Sequence, residues 1–323
     1  MPILLREDDV RALLSISDAI EALERAFRLS AEGRVANVAR SRVRWPRGAL
    51  HVMAAGGPGV GYVGLKAYTT VSGQTRFVVL LFDSESGELV ALLEADMLGR
   101  LRTGAATGLA TRYLARSDAR IVGMYGTGRQ AATQLMAVCA VRAVEEVRVY
   151  SPTQEHREAF ARRMTEALGI PVRAVDQPEA AAEGADILIT ITSAREPVLR
   201  GAWLRPGVHI NAAGSNALIR RELDEEAVAR ADLIVIDDRD QGRIEAGDFL
   251  EPLERGRLQW GRIYELKDVV AGRVRRLHAD QITLFKSLGI ALEDIAVAAL
   301  VYERAKAQGI GEPIRFLKDL LQE

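Results

Sequence analysis

A short apolar run, Ile121-Val122-Gly123-Met124-Tyr125, ends in Gly126-Thr127-Gly128-Arg129-Gln130-Ala131, and an amphipathic run follows from Gln134 to Val141. This order predicts a strand, a tight turn and a helix start. Gly126 lets the chain turn sharply. Gly128 carries no Cβ, so a charged ligand can approach the backbone. Ala131 is small enough for the helix to pack on the strand. Free N–H groups and the positive dipole end at the helix start then suit a pyrophosphate. Another β-like run, Glu146 to Ser151, follows closely, so the motif sits in a whole βαβ unit rather than in an isolated glycine-rich turn. Gly126, Thr127, Gly128, Arg129 and Gln130 are therefore assigned to a dinucleotide.

From Arg120 onward strands and helices alternate. Strands are expected at 120–125, 146–151, 171–175, 185–191, 207–212 and 232–237, with helices such as Gln154 to Leu168 between them. That alternation predicts an α/β fold with a parallel, doubly wound sheet. The first third reads differently. Ser17 to Phe27 has helical spacing behind a serine cap. Val38–Trp45, Leu50–Ala55, Val63–Thr70, Phe77–Asp83 and Glu88–Glu94 then read as mostly antiparallel strands. Along the first of these, Arg40, Arg42 and Arg44 alternate onto one outward face. Arg102 to Leu114 reads as a helix of small residues. The tail returns to helix from Ile290 to Gln308, with a last short helix expected from Glu312 to Gln322. That tail has no strand of the parallel sheet to cover. The expected domains are thus 1–115 with 300–323, β-rich, and 116–299, dinucleotide-binding.

At 323 residues the chain has room for two such domains. Its 43 basic and 44 acidic residues leave a net charge of −1 with no basic stripe, which argues against a nucleic-acid partner. One cysteine, Cys139, excludes a disulfide framework and a cysteine zinc site, and the four histidines show no metal spacing. No metal is expected. No stretch approaches 18 uninterrupted apolar residues, and the N-terminus lacks a basic segment followed by an apolar one. The expectation is a cytoplasmic chain with no membrane partner.

The choice of nicotinamide cofactor turns on the end of the second strand of the βαβ unit. An acidic residue there binds the ribose 2′-OH of NAD. Here Glu145 and Glu146 lie at the strand's other end, and its carboxyl end offers Ser151, Thr153 and, one turn on, Arg157. With no carboxylate to repel a 2′-phosphate, NADP(H) is favoured over NAD(H). Arg157 is either a phosphate contact or a solvated helix residue. Thr192 and Ser193 follow the 185–191 strand at the sheet edge where ligands bind.

At Gly64-Leu65-Lys66, Leu101-Arg102-Thr103-Gly104-Ala105-Ala106, the glycine turn, His209-Ile210-Asn211-Ala212-Ala213-Gly214, and Leu284-Phe285-Lys286-Ser287-Leu288-Gly289 with Glu293-Asp294, the sequence resembles the ornithine cyclodeaminase/μ-crystallin family. The resemblance covers nearly the whole chain. It implies a homodimer with the β-rich domain at the interface, a C-terminal helix returning to that domain, and a small amino- or imino-acid substrate in a cleft facing the nicotinamide. The family's chemistry is hydride transfer between nicotinamide and the Cα of an α-imino or α-amino acid. By the same resemblance the substrate carboxylate meets Arg102 and either Arg40 or Arg42, near Met53, and Lys66 is the acid–base residue. Thr103, Gly214, Ser215, Lys286 and Ser287 fall on cofactor segments. Such chemistry suits these residue types, because a carboxylate needs a fixed cation and a buried lysine can carry a proton. Taken singly, the arginines could face solvent and Lys66 could be a strand lysine with its amine in water.

One departure matters. Ornithine cyclodeaminases carry an aspartate just after the Asn-Ala-x-Gly segment, and here its place is Asn216. An amide orients substrate or caps a turn but takes no proton as a general base. The expected activity is therefore NAD(P)H-dependent reduction of an α-imino acid, by a ketimine reductase or amino-acid dehydrogenase. The alternatives are an ornithine-type cyclodeaminase and a cofactor-binding protein without turnover.

Overall fold

Four ten-residue strands dominate the first of two units into which the chain divides. The computed structural model describes residues 1–315. The first unit comprises residues 1–102 and those from 290 onward; the second is Thr103–Gly289.

In the first unit the strands are β1 (Ile3–Leu5), β2 (Ala36–Trp45), β3 (Gly48–Gly57), β4 (Tyr62–Val71), β5 (Gln74–Asp83) and β6 (Leu89–Glu94). The sheet order is Glu312–Pro313, β1, β6, β5, β4, β3, β2. β2 to β6 form an antiparallel meander, and β1 joins it parallel to β6. Ser72 and Gly73, both at positive φ, close the β4–β5 hairpin in two residues. One sheet face lies under the helix Ala291–Gln308. A Cβ on Gly64 would stand 2.7 Å from Ile295 Cδ1, so that glycine lets helix and sheet approach. The other face leaves Val38, Val43, Trp45, Val63 and Val78 exposed. The helix Ile16–Ala31 starts two residues earlier than its sequence suggested, because Ser15 rather than Ser17 makes the cap, accepting from Asp18 N at 3.2 Å.

In the second unit β7 (Ile121–Tyr125), β8 (Glu146–Tyr150), β9 (Val172–Ala174), β10 (Ile187–Thr190), β11 (His209–Ala212), β12 (Leu233–Ile236), β13 (Ile263–Glu265) and β14 (Thr283–Lys286) pair in parallel throughout. The order is β13-β12-β14-β11-β10-β7-β8-β9, which reverses direction at β7 and β10. That reversal opens a ligand crevice at the carboxyl ends of the strands. β10, β11, β12 and β14 are buried along their whole length, as strands covered on both faces must be. β13 and β14 were not expected: at three and four residues they are too short for periodicity to betray them.

The unit boundaries lie at 102/103 and 289/290, not at 115/116 and 299/300. The helix Asp96–Leu114 extends six residues further toward the N-terminus than its small-residue run, and its later part packs in the second unit. Asn211 Nδ2 donates to Thr111 Oγ1 at 3.0 Å, and a Cβ on Gly104 would meet the Thr133 carbonyl. The start of the helix Ala291–Gln308 belongs instead to the first unit, where Asn37 accepts from Leu292 N at 3.1 Å. Glu312–Pro313 is a strand beside β1 rather than the start of a helix, and the rest of the expected terminal helix lies outside the described residues.

Candidate active site

Alternation along β2 fails at one point, beside a buried polar row in the first unit. Val38 opposes Ala54 while Ser41 opposes Val52, so Ala39 and Arg40 together face Met53. Such a bulge re-aims a side chain. Arg40 turns inward to 4% exposure, and its Nε donates to Met53 Sδ at 3.2 Å. Arg44 stays exposed. The three arginines do share one face, but it is the face of Met53 and Lys66 rather than an outward one, and their burial falls from Arg40 to Arg44. Across the sheet Met53 pairs with Lys66, and Lys66 with Val79, so Arg40, Met53 and Lys66 form one buried row.

Lys66 is fully buried and donates from Nζ to Asp294 Oδ1 at 2.7 Å, with the Phe77 ring 4.9 Å away. Arg102 joins the same carboxylate through Nε at 3.0 Å and reaches Glu293 Oε2 through Nη1 at 2.8 Å. Asp294 Oδ2 has no hydrogen-bond partner among the described residues. Burial pulls the Lys66 amine down to about 8; Asp294 opposes that shift, and Arg102 and Arg40 add to it. Burial also disfavours the charge on Arg102, but Asp294 and Glu293 outweigh it and raise its pKa. Asp294, 228 positions from Lys66, is the group that the sequence undervalued: it pairs across the unit.

Arg42 stands in the next row along the sheet. Its Nε donates to His51 Nδ1 at 3.2 Å, and His51 stacks on Tyr68 with ring centroids 4.2 Å apart. Burial, then Arg42, Arg40 and Arg44, hold the imidazole down to about 4, so it is neutral near pH 7.

A separate candidate site, in the second unit, is the turn after β7. Gly126 has φ +106°, and a Cβ there would strike the Ile191 carbonyl. Around Gly128 a Cβ would meet nothing within 4 Å, so the backbone stands open to a ligand. The helix Ala131–Cys139 begins there, three residues earlier than expected. Gln130 Oε1 is buried without a hydrogen-bond partner among the described residues. These features fit a dinucleotide pyrophosphate.

Other expected cofactor residues divide. Thr103 is buried in its helix, Thr192 and Asn216 are half-buried, and Ser193 and Thr153 are exposed. Glu222, which the sequence gave no reason to choose, ties two of the loops together. Its carboxylate accepts from Thr192 N at 2.7 Å and Oγ1 at 2.8 Å, Gly214 N at 2.7 Å and Thr190 Oγ1 at 3.0 Å. Burial raises the Glu222 pKa, against Lys286. Ser215 Oγ donates to the carbonyls of Ala217 and Arg220 and so holds its own loop. Lys286 is fully buried, 2.7 Å from Asp248, and Ser287 is buried beside it; this lysine makes a structural ion pair. Asp237 is buried and accepts from Leu288 N at 2.5 Å and Gly289 N at 2.8 Å. His209 lies fully buried within β11. Ser151 and Arg157 are buried together, with Arg157 Nη1 donating to the Ser151 carbonyl at 3.2 Å and Nη2 to Asp176 at 2.6 Å. A carboxylate thus does stand at this edge, brought by β9 rather than β8. No group of three or more histidine, cysteine or acidic side chains among the described residues could hold a metal. No described helix is long and apolar enough to cross a membrane.

Comparison with known proteins extends these findings. A Delta(1)-pyrroline-2-carboxylate reductase of Bacillus cereus is 40% identical over 241 residues, 74% of each chain. The structure of the Thermococcus litoralis Delta(1)-pyrroline-2-carboxylate reductase in complex with NADH and L-proline superposes with a TM-score of 0.92 at 37% identity, over 97% of this chain and 100% of that one. An archaeal alanine dehydrogenase dimer with bound NAD gives 0.92 at 32% identity, over 98% and 99%. The sequence profile of the ornithine cyclodeaminase/mu-crystallin family matches residues 2–309, the span that carries both the buried Lys66 row and the glycine turn. By that match, and by a dinucleotide fold joined to a β-rich unit with a buried lysine, the chain belongs to the ornithine cyclodeaminase/mu-crystallin family.

Proposed function

We propose that the protein reduces an α-imino acid with NAD(P)H, adding hydride to Cα and a proton to nitrogen. The observation that carries this reading is the composition of the buried row. Lys66 and Arg102 share the Asp294 carboxylate, and Arg40 is buried in the same row as Lys66. Fixed guanidinium and ammonium donors gathered in one buried place suit an α-carboxylate. Arg40, which shares the buried row of Met53 and Lys66, is the anchor. Lys66 donates the proton: with its amine at about 8 it is charged near pH 7 yet releases a proton readily. Asp294 holds the ammonium in place, and its second oxygen is positioned to accept an N–H. A bound nicotinamide supplies the hydride.

The relatives named above support imine reduction. The test is loss of NADH or NADPH absorbance with Δ1-pyrroline-2-carboxylate, beside pyruvate with ammonia or methylamine. Turnover with the cyclic imine alone makes the protein a cyclic imino-acid reductase, and turnover with the open-chain pairs an amino-acid dehydrogenase. Ammonia and proline from ornithine, with no imine turnover, would overturn the reading.

We infer also that the active form is a cytoplasmic homodimer in which a second copy covers the outer face of the β2–β5 sheet. Val43 at 63% and Val38 at 57% exposure are apolar positions that a lone sheet would leave in water. Light scattering is expected to give the mass of two chains, and Val43→Arg to reduce it to one.

A further inference from the structure

Arg157 was considered above as a contact for a 2′-phosphate, and its surroundings point elsewhere. β8 and β9 run parallel with Val147 opposite Val172 and Val149 opposite Ala174. The same offset brings Ser151 level with Asp176, just past the carboxyl ends of both strands. Arg157, in the first turn of the helix Gln154–Leu168, reaches back across both. One guanidinium nitrogen donates to the Ser151 carbonyl, and another donates to Asp176 Oδ1 at 2.6 Å. The arginine side chain is 9% exposed and the aspartate side chain 85%. The cation lies inside and the carboxylate outside. A phosphate arriving from solvent meets negative charge first, and the guanidinium behind it is already occupied by two acceptors. A ribose hydroxyl meets an acceptor.

In dinucleotide folds a carboxylate near this edge reads the 2′-OH, and an arginine accommodates the 2′-phosphate. This chain holds both groups and ties one to the other. We propose that Asp176 sequesters Arg157 and so makes this protein select NADH over NADPH. The inference rests on the reading that the second unit binds a dinucleotide, and it reverses the expectation drawn from the end of β8 alone.

Asp176 is an exposed side chain, so Asp176→Asn removes the charge without opening the core. The measurement is equilibrium binding of NADH and of NADPH to the full chain by calorimetry, with no substrate present. The wild type is expected to bind NADH about tenfold tighter than NADPH, a difference of ~1.4 kcal/mol. Asp176→Asn is expected to move that ratio about tenfold toward NADPH, and the movement should shrink as salt screens it. Adding Arg157→Gln to Asp176→Asn should cancel the gain, because the freed guanidinium carries it. An unchanged ratio in Asp176→Asn, or a wild type that prefers NADPH, overturns the proposal. Binding of neither dinucleotide overturns the cofactor reading itself, and this proposal with it.

Discussion

Two buried lysine–aspartate pairs of equal length sit in the two units. Lys66 meets Asp294 at 2.7 Å in the first and Lys286 meets Asp248 at 2.7 Å in the second, and all four side chains are at most 1% exposed. Their neighbours differ. Lys66 has Arg40 and Arg102 beside it, both working against its charge. Lys286 has Glu222 in addition to Asp248. The same bond thus does two jobs. A lysine among cations holds its proton loosely and invites an anion. A lysine among carboxylates is itself the counter-ion, and its removal leaves buried negative charge unmatched.

The comparison breaks most sharply by removing each lysine. Lys66→Met is expected to lower kcat by about 10²- to 10⁴-fold, the span for a lost acid–base group. It should do so with a modest change in Tm, because Asp294 keeps Arg102 at 3.0 Å. Lys286→Met should instead cost stability, about 3–5 kcal/mol, as for one partner lost from a buried pair. Urea unfolding of the two variants beside their kcat values decides the matter. If Lys286→Met unfolds like the wild type and Lys66→Met turns over like it, the division of roles is wrong.

Titration sharpens the same contrast. The Lys66 amine is drawn down to about 8. Reduction uses its ammonium form, so kcat/KM should be level below pH 8 and fall about tenfold per unit above it. The reverse reaction, oxidation of the amino acid, needs the neutral amine, so it should rise through the same pH. Lys66→Met should flatten both limbs in whatever activity remains. A profile whose limbs run the other way would remove Lys66 from the proton-transfer step.

The contrast also explains which parts of the molecule were legible beforehand. The glycine turn was legible because its physics is local: Gly126, Gly128 and Ala131 act within six residues of one another. The parallel and antiparallel units were legible from the alternation of strands and helices. Partnerships across the chain were not. Nothing near Lys66 names Asp294, nothing near Thr192 names Glu222, and nothing near Arg157 names Asp176; each pair is made by strand register and helix docking. Lys286 was read as a cofactor residue because a resemblance transfers identity without burial, and burial beside Asp248 is what gives it another role.

Arg40 and Arg42 put the smallest effect on the same comparison. Sequence spacing treats them alike, two positions apart on one strand. They share a face but stand in successive rows: one is buried against Met53 beside Lys66, and the other is half-buried against a neutral imidazole. If the buried row of Lys66 is what receives the substrate carboxylate, only the arginine in that row contributes strongly. Arg40→Met is then expected to raise the substrate KM by about 10- to 100-fold, as loss of a charge-assisted contact of ~1.5–3 kcal/mol implies. Arg42→Met should raise it no more than about threefold, since a screened pair one row away is worth ~1 kcal/mol or less. Arg40→Lys should recover part of the loss, because charge is restored without the fork. Equal effects at the two positions would mean that the carboxylate spans both rows, and that burial beside Lys66 does not by itself choose the anchor.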